Sequence, residues 1–320
     1  MEGISLGKLA RLAGVSKTTA SLILNGKWER YKISKETRQR VLKVAEENNY
    51  KPNVFARNLS MGKSMTVGVF VPGLDQYEHA AIVEQAGKEL NAAGYHIMPG
   101  FTGNDAEVSA RLLADMTGRK VDGIIQAGEV LPLSDLPSDI PVVSVGTDIE
   151  GIPSVSMDTE AGIKKLIGYW YPRGKRSIAY IGLKKGNEDK KRGFMVNYVE
   201  RFSMRDDGMF KTKNENDEQK MKKILSAVSG KGFNAVMFET PALVFTALKV
   251  LKEAGFGSFE DTSFGCIGYS PFFKTAAKDI VGITVSPGIL VKDGVEMLVN
   301  LMQKKGSEAG SKRYEPELLF

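Results

Sequence analysis

One glycine between two short, apolar-spaced helices constrains this chain more than any other stretch. Leu6, Leu9, Leu12 and Ala13 recur at helical spacing, so residues 5–13 read as an amphipathic helix. Gly14 allows a sharp turn after it, and Ser16 is a good N-cap for the next helix. In that second helix Ala20, Ile23 and Leu24 give one apolar face, which leaves Lys17, Thr18, Ser21, Leu22 and Asn25 elsewhere on its surface. The small side chain of Ala10, four residues before Gly14, lets the two helices cross closely. A helix presented this way can enter a DNA major groove with its N-terminal residues at the base edges. The pattern alone is equally compatible with a small three-helix module that binds nothing.

Charge distribution separates those two readings. Residues 1–63 hold 13 Lys/Arg against 5 Asp/Glu, whereas the remaining residues hold 31 against 33. The basic excess is therefore confined to the helix-turn-helix end, as in a DNA-binding head on a near-neutral body. A third helix follows, capped by Ser34, with Glu36 in its first turn and Val41, Val44, Ala45 and Asn48 along one side. Pro52 prevents its simple continuation. Residues 53–60 have room for two helical turns, which are marginal in water unless something packs on them. They read as a hinge segment within a linker, 52–64.

From Met65 the rhythm changes to alternating strands and helices. Strands are expected at 66–71, 96–101, 122–126, 142–145 and 155–157, with helices near 79–93 and 105–117. The rhythm restarts with helix 159–170, strand 177–182, helices 190–202 and 215–229, strand 234–239, helix 241–254 and strand 263–269. Strand 281–285, helix 288–304 and an extended segment 314–320 close the chain. Gly94, Gly118 and Gly255 read as residues that end helices. Such alternation predicts an α/β fold with two doubly wound parallel sheets, and the default pocket is the cleft between them. Cys266 is the single cysteine and lies in an apolar run, which predicts a buried, unreactive thiol. No apolar run is long enough to span a membrane and no secretory leader is evident, so a cytoplasmic location is expected.

Leu9-Ala10-Arg11-Leu12-Ala13-Gly14-Val15-Ser16, the Thr19/Ser21/Asn25-Gly26 pattern and Asn49-Tyr50-Lys51-Pro52-Asn53 resemble the head of the lactose/galactose repressor family. So do Ala56-Arg57-Asn58-Leu59, Val67-Gly68-Val69-Phe70-Val71-Pro72, Val121-Asp122-Gly123-Ile124-Ile125 and Val155-Ser156-Met157-Asp158-Thr159-Glu160-Ala161-Gly162 further on. Within the family the head is most similar to the fructose and sucrose repressor branch. The resemblance implies a three-helix head over residues 1–51, a hinge helix within 52–64, and a two-lobed core like that of periplasmic binding proteins. The N-terminal lobe would comprise 65–160 and 286–306, and the C-terminal lobe 161–285 and 307–320. It implies a homodimer that regulates transcription, as a repressor of carbohydrate-metabolism genes, on near-palindromic double-stranded DNA. On matching positions Lys17, Thr18 and Leu22 would face bases, and Ser16, Thr19, Ser21 and Asn25 would hold phosphates. Asn53, Ala56, Arg57 and Leu59 would act in the minor groove, with Leu59 as an apolar wedge at a base step.

The core departs from that family at its ligand positions. Gly146-Thr147, Thr240-Pro241 and Ser270-Pro271 stand where relatives place acidic or amide side chains, and Lys190 stands where they place an arginine. Carboxylates suit sugar hydroxyls, so their loss argues against an ordinary neutral sugar. Gln76, Tyr77, Lys190, Glu239 and Ser270 are the expected effector-binding residues, with Glu78 and Asp105 nearby, and Lys190 favours a sugar phosphate or other anion. No catalytic constellation, metal-ligand spacing or cofactor motif is present, and His79 and His96 are the only histidines, so an enzyme is not expected. The rival reading is a two-lobed small-molecule carrier without DNA function, which leaves the basic head unexplained. If Leu59 is the wedge, Leu59→Ala should cost specific DNA affinity roughly 2 kcal/mol, because the unstacked step loses its apolar partner. Gel shift of the variant, with a thermal melt to show unchanged stability, checks this.

Overall fold

A computed structural model describes residues 4–50, 62–128, 130–184, 188–199, 208–255, 257–303 and 310–320. The chain divides into two compact units, Met1–Ser64 and Met65–Phe320.

In the first unit α1 is Leu6–Leu12, α2 Lys17–Leu24 and α3 Lys35–Glu47. Ser5, Ser16 and Ser34 each cap the helix that follows, accepting a backbone N–H with the side chain. Gly14 turns the chain at φ +62°, a conformation that a side chain would strain. Leu9, Ala10, Ala13, Ala20, Ile23 and Val41 form the buried centre. Arg40 Nε donates to the Ala13 carbonyl at 2.9 Å, tying α3 to the end of α1. Leu12 departs from the expected apolar stripe: it is 54% exposed, and Ala13 takes the inward position instead.

The second unit contains two six-stranded sheets. The first runs β11-β5-β4-β3-β1-β2 and the second β12-β10-β9-β8-β6-β7. Their strands are β1 Thr66–Val71, β2 His96–Phe101, β3 Gly123–Ala127, β4 Val142–Gly146, β5 Ser154–Met157 and β11 Lys312–Tyr314, then β6 Ile178–Leu183, β7 Met209–Thr212, β8 Ala235–Phe238, β9 Ser263–Ile267, β10 Ile280–Thr284 and β12 Glu317–Leu319. Every pairing is parallel except that of β12 with β10. Helices α4 (Tyr77–Ala92), α5 (Ala106–Gly118), α6 (Thr159–Trp170), α7 (Glu188–Val199), α8 (Glu218–Gly230), α9 (Pro241–Ala254) and α10 (Pro287–Met302) lie between strands in sequence. Both faces of a parallel sheet must be covered, and the central strands accordingly read as continuous apolar runs such as Val67–Val71 and Ala235–Phe238.

The backbone passes between the sheets three times: after β5, after β10, and between β11 and β12. The last pass corrects the assignment of 307–320 wholly to the C-terminal lobe, because Lys312–Tyr314 pairs with β5 in the first sheet. The cause is local and polar. Asp148 receives Arg313, Asp293 receives Lys312 and Tyr314, and Ser154 Oγ donates to Ser311 Oγ at 2.8 Å. Strand β7 was not anticipated; it is four residues long at a sheet edge, and its first three residues are only half-buried. Gly118 is the last residue of α5 and no cap; the left-handed residue there is Lys120, at φ 57°. Gly94 and Gly255 do leave their helices at φ +85° and +82°.

Trp170 is the largest fully buried side chain, and it packs on a glycine. A Cβ at Gly265 would lie 2.5 Å from Leu166 Cδ2 and 2.7 Å from Trp170 Cζ2. Gly265→Ala should therefore destabilise the second unit by about 1–3 kcal/mol through overpacking, read as a lowered urea midpoint at unchanged slope.

Candidate DNA-binding face and ligand cleft

Serine caps set the geometry of the head's second helix. Ser16 Oγ accepts the Thr19 N–H at 3.0 Å and lies 2.8 Å from Thr19 Oγ1. Asn25 closes the other end, its Nδ2 donating to the Ser21 carbonyl at 2.8 Å and to Ser21 Oγ at 3.3 Å. Between them Ala20 and Ile23 face the core, Lys17 and Thr18 are exposed, and Ser21 and Leu22 are half-buried. The expected base-facing and phosphate-holding residues therefore share the part of α2 left uncovered by the head's own core. Asn53, Ala56, Arg57 and Leu59 lie outside the described residues.

In the second unit the C-terminal strand ends of the two sheets face a cavity of about 580 Å³. Gln76 and Glu78 line it from the start of α4, Gly146 from the end of β4, and Lys190 and Thr240 from the second sheet's side. Of the other expected residues, Tyr77 is 44% exposed and does not line the cavity. Ser270 is buried and caps a 3-10 turn, accepting the Phe272 N–H at 3.4 Å. Asp105 caps α5, accepting from Glu107 and Val108, beside a separate hollow. Glu239 is buried just behind the cavity, where its carboxylate accepts the Leu183 N–H at 2.9 Å. Gly182 leaves it that room: a Cβ there would come within 2.2 Å of Glu239 Oε2. Lys190 Nζ donates to the Glu239 carbonyl at 3.3 Å.

The most informative residue is one the sequence pattern placed inside a helix. Helix α8 begins after its cap, Asp217, three residues later than expected, so Glu215 stands in the preceding loop. Thr240 Oγ1 donates to Glu215 Oε1 at 2.5 Å, and Gln76 Nε2, from the first sheet's side, approaches Oε2 at 3.4 Å. Reading Asp217 as the N-cap would have released Glu215 from the helix. Glu78 is similarly relocated, since its Oε1 lies 3.8 Å from where a Cβ at Gly146 would be. Carboxylates missing from the family positions thus return to the cleft from neighbouring ones. His79, among Glu78, Asp75, Glu215 and Lys190, has its imidazole pKa pushed down, first by burial and against the pull of the three carboxylates. Burial, then the Glu239 carboxylate, pushes the Tyr180 phenol up. Cys266 is buried, and its thiol pKa is raised by that burial, as the apolar run implied. Among the described residues no His, Cys, Asp and Glu cluster could hold a metal, and no helix is long and apolar enough to cross a membrane.

Residues 5–53 match the profile of the family described as bacterial regulatory proteins, lacI family. The chain belongs to the lacI family. Its lacI-type head and core align with the sucrose operon repressor of Klebsiella pneumoniae at 30% identity over 184 residues, covering 56% of this chain and 55% of that protein. The chain thus spans about half the length of the curated relatives it matches. Among solved structures, the lac repressor dimer bound to operator and the anti-inducer ONPF superposes with TM-score 0.80 at 19% identity, over 100% of this chain and 98% of that one. The Cra transcriptional dual regulator from Pseudomonas putida, in complex with fructose 1-phosphate, gives TM-score 0.69 at 16% identity, over 80% and 98%. These likenesses establish the lacI-family fold: a helical head and two parallel-sheet lobes.

Because Ser16 Oγ is the only side-chain cap of α2, Ser16→Ala should cost the head about 1 kcal/mol. Faster hydrogen exchange of amides in Lys17–Leu24, with the second unit unchanged, is the expected reading.

Proposed function

We propose that the chain is a sequence-specific DNA-binding transcriptional regulator, acting as a repressor and binding a near-palindromic operator as a homodimer. The observation that carries this is the α2 surface, where Lys17, Thr18, Ser21, Leu22 and Asn25 lie clear of the head's core on the most basic part of the chain. Lys17 suits guanine O6/N7 and Leu22 a thymine methyl, while the hydroxyls and Asn25 suit phosphates that fix register. The hinge segment 52–64, with Asn53, Ala56, Arg57 and Leu59, enters the minor groove in this reading. Exposed Tyr77, Phe101, Phe245 and Phe272 on the second unit offer apolar area for a second copy. A cytoplasmic location fits a DNA-binding role.

The cleft is read as the effector site. A small ligand, a sugar or sugar phosphate, closes the lobes there and changes DNA affinity by reciprocal linkage. The named ligands of similar proteins, fructose 1-phosphate among them, support that class. The carrier reading keeps the cleft but gives the basic head no task.

Operator selected from random DNA by the full chain should be retarded in gel shifts, with affinity falling steeply and log-linearly with salt as Lys and Arg displace counterions. Retardation insensitive to salt, or none with any selected fragment, returns the carrier reading. Tight binding by isolated, monomeric residues 1–63 would remove the requirement for a dimer.

A further inference from the structure

The polar groups around the cleft do not balance once their internal partners are assigned. Arg313 pairs with Asp148, and Arg192 Nη2 lies 2.8 Å from Asp189 Oδ1. Asp158 caps α6 by accepting the Ala161 N–H at 2.9 Å. Glu160 and Lys164 stand one turn apart on that same helix and cancel in net charge. The charges left at the centre are the carboxylates of Glu78, Glu215 and Glu239 against Lys190, whose ammonium reaches a carbonyl of Glu239. Glu215 is held by Thr240 on one oxygen, while its second oxygen has only the long 3.4 Å contact from Gln76.

A second, independent feature points to a missing guest. Ser156, 3% exposed, lines the same cavity from β5, and its Oγ has no hydrogen-bond partner among the described residues. His79 Nδ1, also at the cavity wall, is buried and similarly unpartnered. Buried polar atoms are ordinarily satisfied, and both would be satisfied by a hydroxyl-bearing ligand.

We propose that the cleft takes a sugar that carries a protonated amine, with Glu215 and Glu78 receiving the ammonium and Ser156 and His79 meeting hydroxyls. This rests on the reading of the cleft as an effector site. A hydroxyl in place of the ammonium would still bond to Glu215 but would leave the surplus carboxylate charge uncompensated in a partly desolvated site. The ammonium supplies donors for the open oxygen of Glu215 and replaces Gln76 there. Because Gln76 stands on the first sheet's side and Glu215 on the second's, a ligand between them joins the lobes.

The test is calorimetric titration of the full chain with glucose against glucosamine and galactose against galactosamine, at a pH where the amine is protonated. At least one amino sugar should bind roughly tenfold or more tighter than its hydroxyl twin, a difference worth about 1.4 kcal/mol. The preference should vanish in Glu215→Gln and shrink in Glu78→Gln, while the melting temperature of each unliganded variant stays that of the wild type. Should either glutamine variant melt early, Thr240→Val replaces it: the hydroxyl that orients Glu215 is lost with no change in charge, and the preference should fall. Equal binding of the twins, or a preference that survives in all these variants, overturns the amine and leaves the cleft reading standing. No binding by any of the four sugars, with no change in operator affinity, overturns both.

Discussion

Each sheet of the second unit is completed by backbone that has first visited the other. Three crossings join them, and the third is pinned by carboxylates: Asp148 and Asp293 hold Arg313, Lys312 and Tyr314 against the edge of the first sheet. Hydrogen bonding to Ser154 first, then Arg313, keeps the Asp148 carboxyl below its ordinary range, while Lys312 and then Tyr314 do the same for Asp293. Both groups are therefore charged at neutral pH. Their contribution is present above the ordinary carboxylate range and fades as pH falls through the lowered values. The cleft depends on these joints, because strand ends that face each other across three short connections can approach or separate without disturbing either sheet.

Much of the fold was legible in the residues because local and global signals agree. Helices 159–170 and 241–254 begin at side-chain caps, Asp158 and Thr240, and their bounds coincide with expectation. Strands β1 and β2 likewise match, bounded by the polar or glycine-rich residues on either side. What was not legible lacked such a signal. Strand β7 is too short to show a period, and β11 is held by charges more than a hundred residues away in sequence. The left-handed Lys120 is a residue type that gives no warning of that conformation.

The DNA-facing residues were readable for the same reason as the helices. A serine cap and two inward apolar residues determine which side chains of an eight-residue helix are left outside. The cleft was harder. Gly146, Thr240 and Ser270 correctly marked where carboxylates are missing, but side chains reach several ångströms, and Glu78 and Glu215 fill the same space from other backbone positions. Position-by-position comparison sees the loss and not the replacement.

The connectivity also bears on how the molecule is made. The first sheet's covering helix, α10, and its edge strand, β11, lie beyond all of β6 to β10 in sequence. A ribosome therefore releases a first lobe whose β3–β4 face is bare until the entire second sheet has emerged. Contacts so distant along the chain are slow to form, and exposed parallel strands are prone to mispairing while they wait. During synthesis the second lobe, contiguous but for β12, is the one positioned to fold early. The first can close over its own core only when the last segments arrive.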